Sequence, residues 1–152
     1  MIEIVLFQPE IPQNTGNIGR TCVGFNVKLN IIKPMGFRLN NKSFRRAGLD
    51  YWKYLNYELF DSFDIFYHQQ VFNTNNKLIL LTKFSNESIV DYKFNLNNIL
   101  IFGMETKGFP KEYIEKYNIN TLSFPMPGNI RSYNLANTCA MSIYSAYSQL
   151  KW

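Results

Sequence analysis

Short apolar runs recur along this chain with helical patterns between them, and that alternation limits the fold more than any other feature. The runs are IEIVLF (2–7), KLNIIK (28–33), KLILLT (77–82), NILIFG (98–103) and TLSF (121–124). Runs this short, bounded by polar residues and glycine, suit strands buried on both faces of a parallel sheet. A helix is predicted over 14–25, weakened by Gly16, Gly19 and Gly24, and another within 62–72 from the spacing of Phe63, Phe66 and Tyr67. Pro110 fits the first position of a third helix through 117, with Glu112 near its positive end. Leu135, Thr138, Cys139, Ile143, Ala146, Tyr147 and Leu150 mark one face of a closing helix at steps of three and four. The expected class is α/β, a mostly parallel sheet with helices on both faces. With 152 residues and no repeat, low-complexity tract or linker, residues 1–152 read as one domain.

Several function classes drop out at once. No run approaches the roughly 20 apolar residues a membrane span needs, and the opening MIEIVLF has no basic leader, so a cytoplasmic protein without membrane contact is expected. Cys22 and Cys139 lie in apolar helical patterns without CxxC spacing and read as core thiols. His68 is the only histidine and falls in a surface-helix pattern, which disfavours a histidine triad or a multi-histidine metal site; no metal is expected. The eight glycines never form GxG and no Walker A motif occurs, which disfavours dinucleotide and ordinary nucleoside-triphosphate chemistry.

The net charge of +5 is unevenly spread. Arg38, Lys42, Arg45, Arg46 and Lys53 stand against Asp50 alone, with Phe37, Phe44, Tyr51, Trp52 and Tyr54 among them. Basic groups neutralise phosphates and flat rings stack on unpaired bases, so the segment suits single-stranded or looped RNA. A solvated helix face over core aromatics, with Phe44, Leu49 and Trp52 packed inward, is the plain alternative.

In a parallel sheet, ligands bind where loops leave the carboxyl ends of the strands. Four such loops carry unusual residues: PEIPQNTGNIGR after the first strand, TKFSN after Thr82, GMETKG over 103–108 and PMPGNIRSYN over 125–134. Glycine admits close backbone approach, while Asn and Ser offer hydrogen bonds without charge, which suits a polar ligand of nucleoside type.

In order and spacing, PQNTGNIGR (12–20), FGMETKGFP (102–110) and FPMPGNIRSYNLANTCAMSIYSAY (124–147) resemble the three signature motifs of the SPOUT class of RNA 2'-O-methyltransferases. The likeness extends through FRRAGLDYW (44–52) and is greatest to the minimal single-domain branch that methylates the wobble ribose, position 34, of leucine tRNAs. The resemblance implies a trefoil knot in the carboxyl-terminal third, bound S-adenosylmethionine, a homodimer and a tRNA anticodon stem-loop as partner. It places donor contacts at Leu81, Thr82, Gly103, Glu105, Gly108, Phe124, Met126, Ser132 and Leu135, and active-site roles at Asn14, Arg20, Ser132 and Asn134, with Glu105 beside them.

The resemblance also frames the individual roles. Arg20 stays protonated, so it stabilises a developing alkoxide or clamps a phosphate and does not act as a base. Asn14 orients Arg20 or the ribose, or else caps the first helix. Ser132 and Asn134 hold the donor or the target sugar, or cap the closing helix. Glu105 secures a loop backbone and faces an arginine of a partner subunit. Arg45 and Arg46 meet phosphates, and Tyr51 or Trp52 stacks on a base. Competing classes are a non-catalytic RNA-binding protein on the same fold, a methyltransferase acting on another tRNA or rRNA ribose, and a flavodoxin-type small-molecule binder.

Overall fold

The computed structural model describes residues 1–38 and 51–152. Lys42, Phe44, Arg45, Arg46, Leu49 and Asp50 lie outside the described residues.

Among the described residues, six parallel strands form one sheet: β1 (Glu3–Phe7), β2 (Lys28–Ile32), β3 (Tyr57–Phe60), β4 (Lys77–Leu81), β5 (Asn98–Phe102) and β6 (Asn120–Leu122), in the order β3-β2-β1-β5-β4-β6. The same residues include helices α1 (Pro12–Phe25), α2 (Phe63–Gln70), α3 (Lys111–Lys116) and α4 (Leu135–Leu150), with a 3₁₀ turn at Trp52–Tyr54. Strand side chains alternate between two cores, as a period of two requires. Ile4, Leu6, Leu100 and Phe102 face one core with Ile18 and Cys22 of α1 and Cys139 and Ile143 of α4. Val5, Phe7, Ile99 and Ile101 face the other with Phe63 and Phe66 of α2, and Tyr113 and Tyr117 of α3 pack against it. Burial pushes the Cys22 thiol up to about 12 and the Cys139 thiol well above its ordinary value, so both stay neutral within the first core.

The structure adjusts three expectations. Tyr57–Phe60 is a sixth strand that the apolar runs do not reveal, since only Phe60 is buried there. Helix α1 starts at Pro12, two residues before the expected start at Asn14; Ile11 is its N-cap and makes no side-chain cap bond, which leaves Asn14 inside the first turn and not at the cap. Pro110 is the N-cap of α3, one residue before the position expected.

The order of strands creates a switch point. From β1 the chain crosses outward to β2, whereas from β5 it crosses in the opposite direction, past β4, to β6. Loops leaving adjacent β1 and β5 therefore diverge, the arrangement that opens a ligand crevice at the carboxyl edge. Beyond β4 the chain crosses to the far side of β6 and runs parallel to its end: Ile89 donates to the Ser123 carbonyl at 2.9 Å and Ser123 donates to the Glu87 carbonyl at 2.8 Å. Strand β6 is thus flanked by β4 on one side and by β4's own exit loop on the other.

Candidate active site

Two carboxylates tie the diverging loops together. Glu105, in the loop after β5, accepts the backbone N–H groups of Glu10 at 2.9 Å and Ile11 at 3.3 Å. Glu10, in the loop after β1, accepts in return from the Thr106 N–H at 2.8 Å and the Thr106 hydroxyl at 2.7 Å. The Thr106 bonds hold the Glu10 carboxyl below the usual carboxylate range. Glu10 and Thr106 were missed from sequence; the available signal was a carboxylate and a hydroxyl in two carboxyl-edge loops, which means little until β1 and β5 are known to be neighbours.

A chain of side-chain bonds continues from this clasp. Asn14 donates to Glu105 Oε1 at 3.1 Å, and Asn134 donates to Asn14 Oδ1 at 3.0 Å. Asn134 Oδ1 accepts from the N–H groups of Ala136 at 2.9 Å and Asn137 at 3.3 Å, which caps α4. Both ends fix the amide orientations, because a carboxylate only accepts and a backbone N–H only donates. One residue from each of the three motifs is therefore locked into a single polarised line. Asn134 does cap the closing helix, while its amide nitrogen serves the site as well.

The other candidate residues are less uniformly gathered. Asn14 is buried and makes no bond to Arg20, which sits exposed nearly two turns along α1. The Arg20 guanidinium carbon lies 5.6 Å from the centroid of the Tyr51 ring, and no ion pair joins Arg20 to a carboxylate among the described residues. Ser132 is exposed and makes no side-chain hydrogen bond among the described residues. Tyr51 donates its hydroxyl proton to the Gly16 carbonyl at 3.2 Å, and Trp52 is half-buried against the first core. A Cβ at Gly19 would lie 2.7 Å from Trp52 Cζ3, so a glycine at this position lets the ring rest directly on α1.

The loops after β5, β4 and β6 lie side by side along the carboxyl edge. Leu81, Phe124 and Leu135 are half-buried against the first core and form an apolar floor there. Gly103 and Gly108 shape the middle loop: Met104 and Gly108 exchange two N–H···O bonds of 2.9 Å, and a Cβ on Gly103 would lie 2.5 Å from the Gly108 carbonyl carbon. Thr82 extends the β4–β6 pairing by donating to the Leu122 carbonyl at 2.9 Å. Tyr133 closes the last loop by donating to the Pro125 carbonyl at 3.2 Å, with Met126 half-buried between them in sequence. Two hollows of about 330 Å³ elsewhere on the surface contain none of the candidate donor or active-site residues.

The model of the SpoU rRNA Methylase family matches residues 1–144. The chain belongs to that family. Membership makes it a methyltransferase, and the family's methyl donor is S-adenosylmethionine. A relative from Geobacillus stearothermophilus, provisionally named a tRNA (cytidine(34)-2'-O)-methyltransferase, is 44% identical over 97% of this chain and 94% of its own. A solved structure described as "Structural insights into the 2-OH methylation of C/U34 on tRNA" superposes with a TM-score of 0.93 at 38% identity, covering 99% of this chain and 97% of the other. The fold is also that of AviRb from Streptomyces viridochromogenes, solved with its cofactor AdoMet: TM-score 0.83, 21% identity, 98% of this chain and 60% of that one. The edge fits such a donor. An apolar floor can cover an adenine ring, and a glycine turn with no room for a Cβ brings backbone amides close to a ligand.

Proposed function

We propose that this chain transfers a methyl group from S-adenosylmethionine to the ribose 2'-hydroxyl of nucleotide 34 of tRNA, with leucine tRNAs as substrates. The observation that carries the reading is the line Glu105–Asn14–Asn134, which draws three sequence motifs to one edge beside the apolar floor. The names of the full-length relatives supply the target nucleotide.

The sulfonium supplies an electrophilic methyl, so the protein's work is alignment and control of one proton. Leu81, Phe124 and Leu135 hold the donor's adenine side; Thr82, Gly103, Gly108, Met126 and Ser132 offer backbone and hydroxyl partners around it. Alignment of reactants is worth about 7–11 kcal/mol in favourable cases. Asn14 and Asn134 set the spacing between the first helix and the last loop. Arg20 presents a permanent positive charge to the developing alkoxide or to the neighbouring phosphate.

The reading includes a homodimer and a chain threaded as a trefoil knot. The passage of β6 between β4 and Glu87–Ile89 supports the threading. Arg45 and Arg46 are assigned to phosphates of the anticodon stem-loop, and binding weakens steeply with salt.

The test is transfer of labelled methyl from S-adenosylmethionine to unmodified leucine tRNA transcripts and to ribosomal RNA, with the labelled ribose mapped. Label on nucleotide 34 supports the reading. Label confined to another ribose, or donor binding without transfer to any RNA, refutes it. Light scattering tests the dimer separately: a monomer at working concentration removes that part.

A further inference from the structure

We propose that Tyr51 is a positioning residue for Arg20, holding the guanidinium on its ring face so that the charge is pre-aimed at the reacting ribose; this rests on the methyl-transfer reading above. The sequence reading assigns either Tyr51 or Trp52 to stacking on an RNA base. The geometry points elsewhere. Its ring lies 5.6 Å from the Arg20 guanidinium carbon, within the range of a cation–π contact. Its hydroxyl is anchored on the Gly16 carbonyl at 3.2 Å, one turn before Arg20 on the same helix. Trp52 is seated over Gly19, where a Cβ would stand 2.7 Å from the indole, and this fixes the backbone next to Tyr51 on α1. The ring therefore spans the helix turn that carries Arg20, and the face under the guanidinium is unavailable to a nucleobase.

An aromatic face suits this task better than a carboxylate. Arg20 is exposed and joins no carboxylate among the described residues, so without a support its long side chain would sample many rotamers. A carboxylate would order it but would also neutralise the charge and occupy its donors. A ring restrains the plane while leaving the charge and all five N–H donors for an oxyanion or a phosphate.

The test uses the full chain with Tyr51→Leu, Tyr51→Phe and Arg20→Ala. NMR gives the readout independent of activity. The Arg20 side-chain protons, identified by their loss in Arg20→Ala, should be shifted upfield by the ring current in the wild type and in Tyr51→Phe, and should return to ordinary values in Tyr51→Leu. Equal Arg20 shifts in the wild type and Tyr51→Leu would overturn the proposal, whether or not any RNA is methylated. In single-turnover methylation, Tyr51→Leu should slow transfer about ten- to a hundredfold, as misplacement by an ångström can, with tRNA and donor binding unchanged and Tyr51→Phe near the wild type. Tyr51→Leu should add nothing in the Arg20→Ala background. Weakened tRNA binding at an unchanged transfer rate would restore the stacking role. Loss of donor binding together with rate in both Tyr51 variants would leave only a folding role and refute positioning. An active wild type with an unaffected Tyr51→Leu rate refutes this proposal alone; an inactive wild type refutes the methyl-transfer reading and leaves the NMR result to decide the contact.

Discussion

Asn14 offers the sharpest perturbation, because packing and hydrogen bonding predict opposite orders for two of its variants. Its amide donates to a carboxylate at 3.1 Å and accepts from Asn134 at 3.0 Å, and the residue is only 7% exposed. A bond to a charged partner is worth about 1.5–3 kcal/mol net and a neutral one about 0.5–1.5 kcal/mol. Asn14→Ala loses both. Glu105 retains the Glu10 and Ile11 N–H groups, and water reaches both it and Asn134, so the lower end of the sum applies, about 2 kcal/mol. For a chain of this length, that corresponds to a fall in Tm of about 4–8 °C. Asn14→Asp preserves shape and still accepts from Asn134, yet it faces Glu105 with a second negative charge and no donor. Like charges at about 4 Å cost between about 1 kcal/mol in water and about 4 kcal/mol near a protein surface. The expected stability order at pH 7 is wild type, then Asn14→Ala, then Asn14→Asp, read from urea unfolding with a constant slope. A residue that merely fills space would give the reverse, since Asp matches Asn in volume and Ala does not. If Asn14→Asp is as stable as Asn14→Ala or more so, the polarised line does not hold the site.

Three further outcomes follow from named contacts. Gly19→Ala drives a methyl to within 2.7 Å of Trp52, so the indole must move, at a cost of about 1–3 kcal/mol against a helix-propensity gain of about 1 kcal/mol; a red-shifted tryptophan emission with lower stability is expected, and unchanged emission would contradict it. The Asp64 carboxyl is held down to about 2 by hydrogen bonds from Lys116 and then Tyr117, below an unfolded value of about 3.9, so its contribution is full above about pH 4 and fades as pH falls toward 2; the gap in urea midpoint between wild type and Asp64→Asn should shrink over that window, and a constant gap would refute the linkage. Arg20→Lys keeps the charge but loses the planar fork, so transfer should slow by on the order of tenfold or more, and a near wild-type rate would remove the geometric role.

What the sequence revealed, and what it hid, follows from how local each signal was. The buried strands announced themselves because a parallel sheet covered on both faces needs apolar runs, and β1, β2, β4 and β5 have them, whereas β6 (Asn120–Leu122) buries Leu122 alone. Strand β3 did not: it stands at the sheet edge, exposes Tyr57 and Leu59, carries Glu58 and buries only Phe60. The first two residues of α1, Pro12 and Gln13, were obscured because Ile11 caps the helix without a side-chain bond. The motif residues of the site were legible by resemblance, but their partnerships were not. Asn14 and Glu105 are 91 positions apart and Asn14 and Asn134 are 120 apart, and only the strand order brings them together. Glu10 shows this most plainly: nothing local distinguishes it from a solvent carboxylate until Thr106 is placed opposite.

The use of these carboxylates also constrains the chemistry. A general base works best when its affinity for protons matches the working pH. Glu10 is held below the usual carboxylate range by Thr106, which makes it a weaker base than a free carboxylate, and the oxygens of Glu105 are taken by two backbone N–H groups and the Asn14 amide. His68, on α2, belongs to the opposite layer, since α2 packs through Phe63 and Phe66 on the face of the sheet away from α1 and α4. Among the described residues, then, the Glu105–Asn14–Asn134 line provides oriented amides, and the Glu105 and Glu10 carboxylates are already committed to hydrogen bonds. On the function proposed above, water takes the ribose proton and the Arg20 charge lowers the barrier as the alkoxide forms. In that setting the acids are more useful as clasps: they fix the distance between the loops of β1 and β5, and through Asn14 and Asn134 the start of α4, so that alignment is set before substrate arrives.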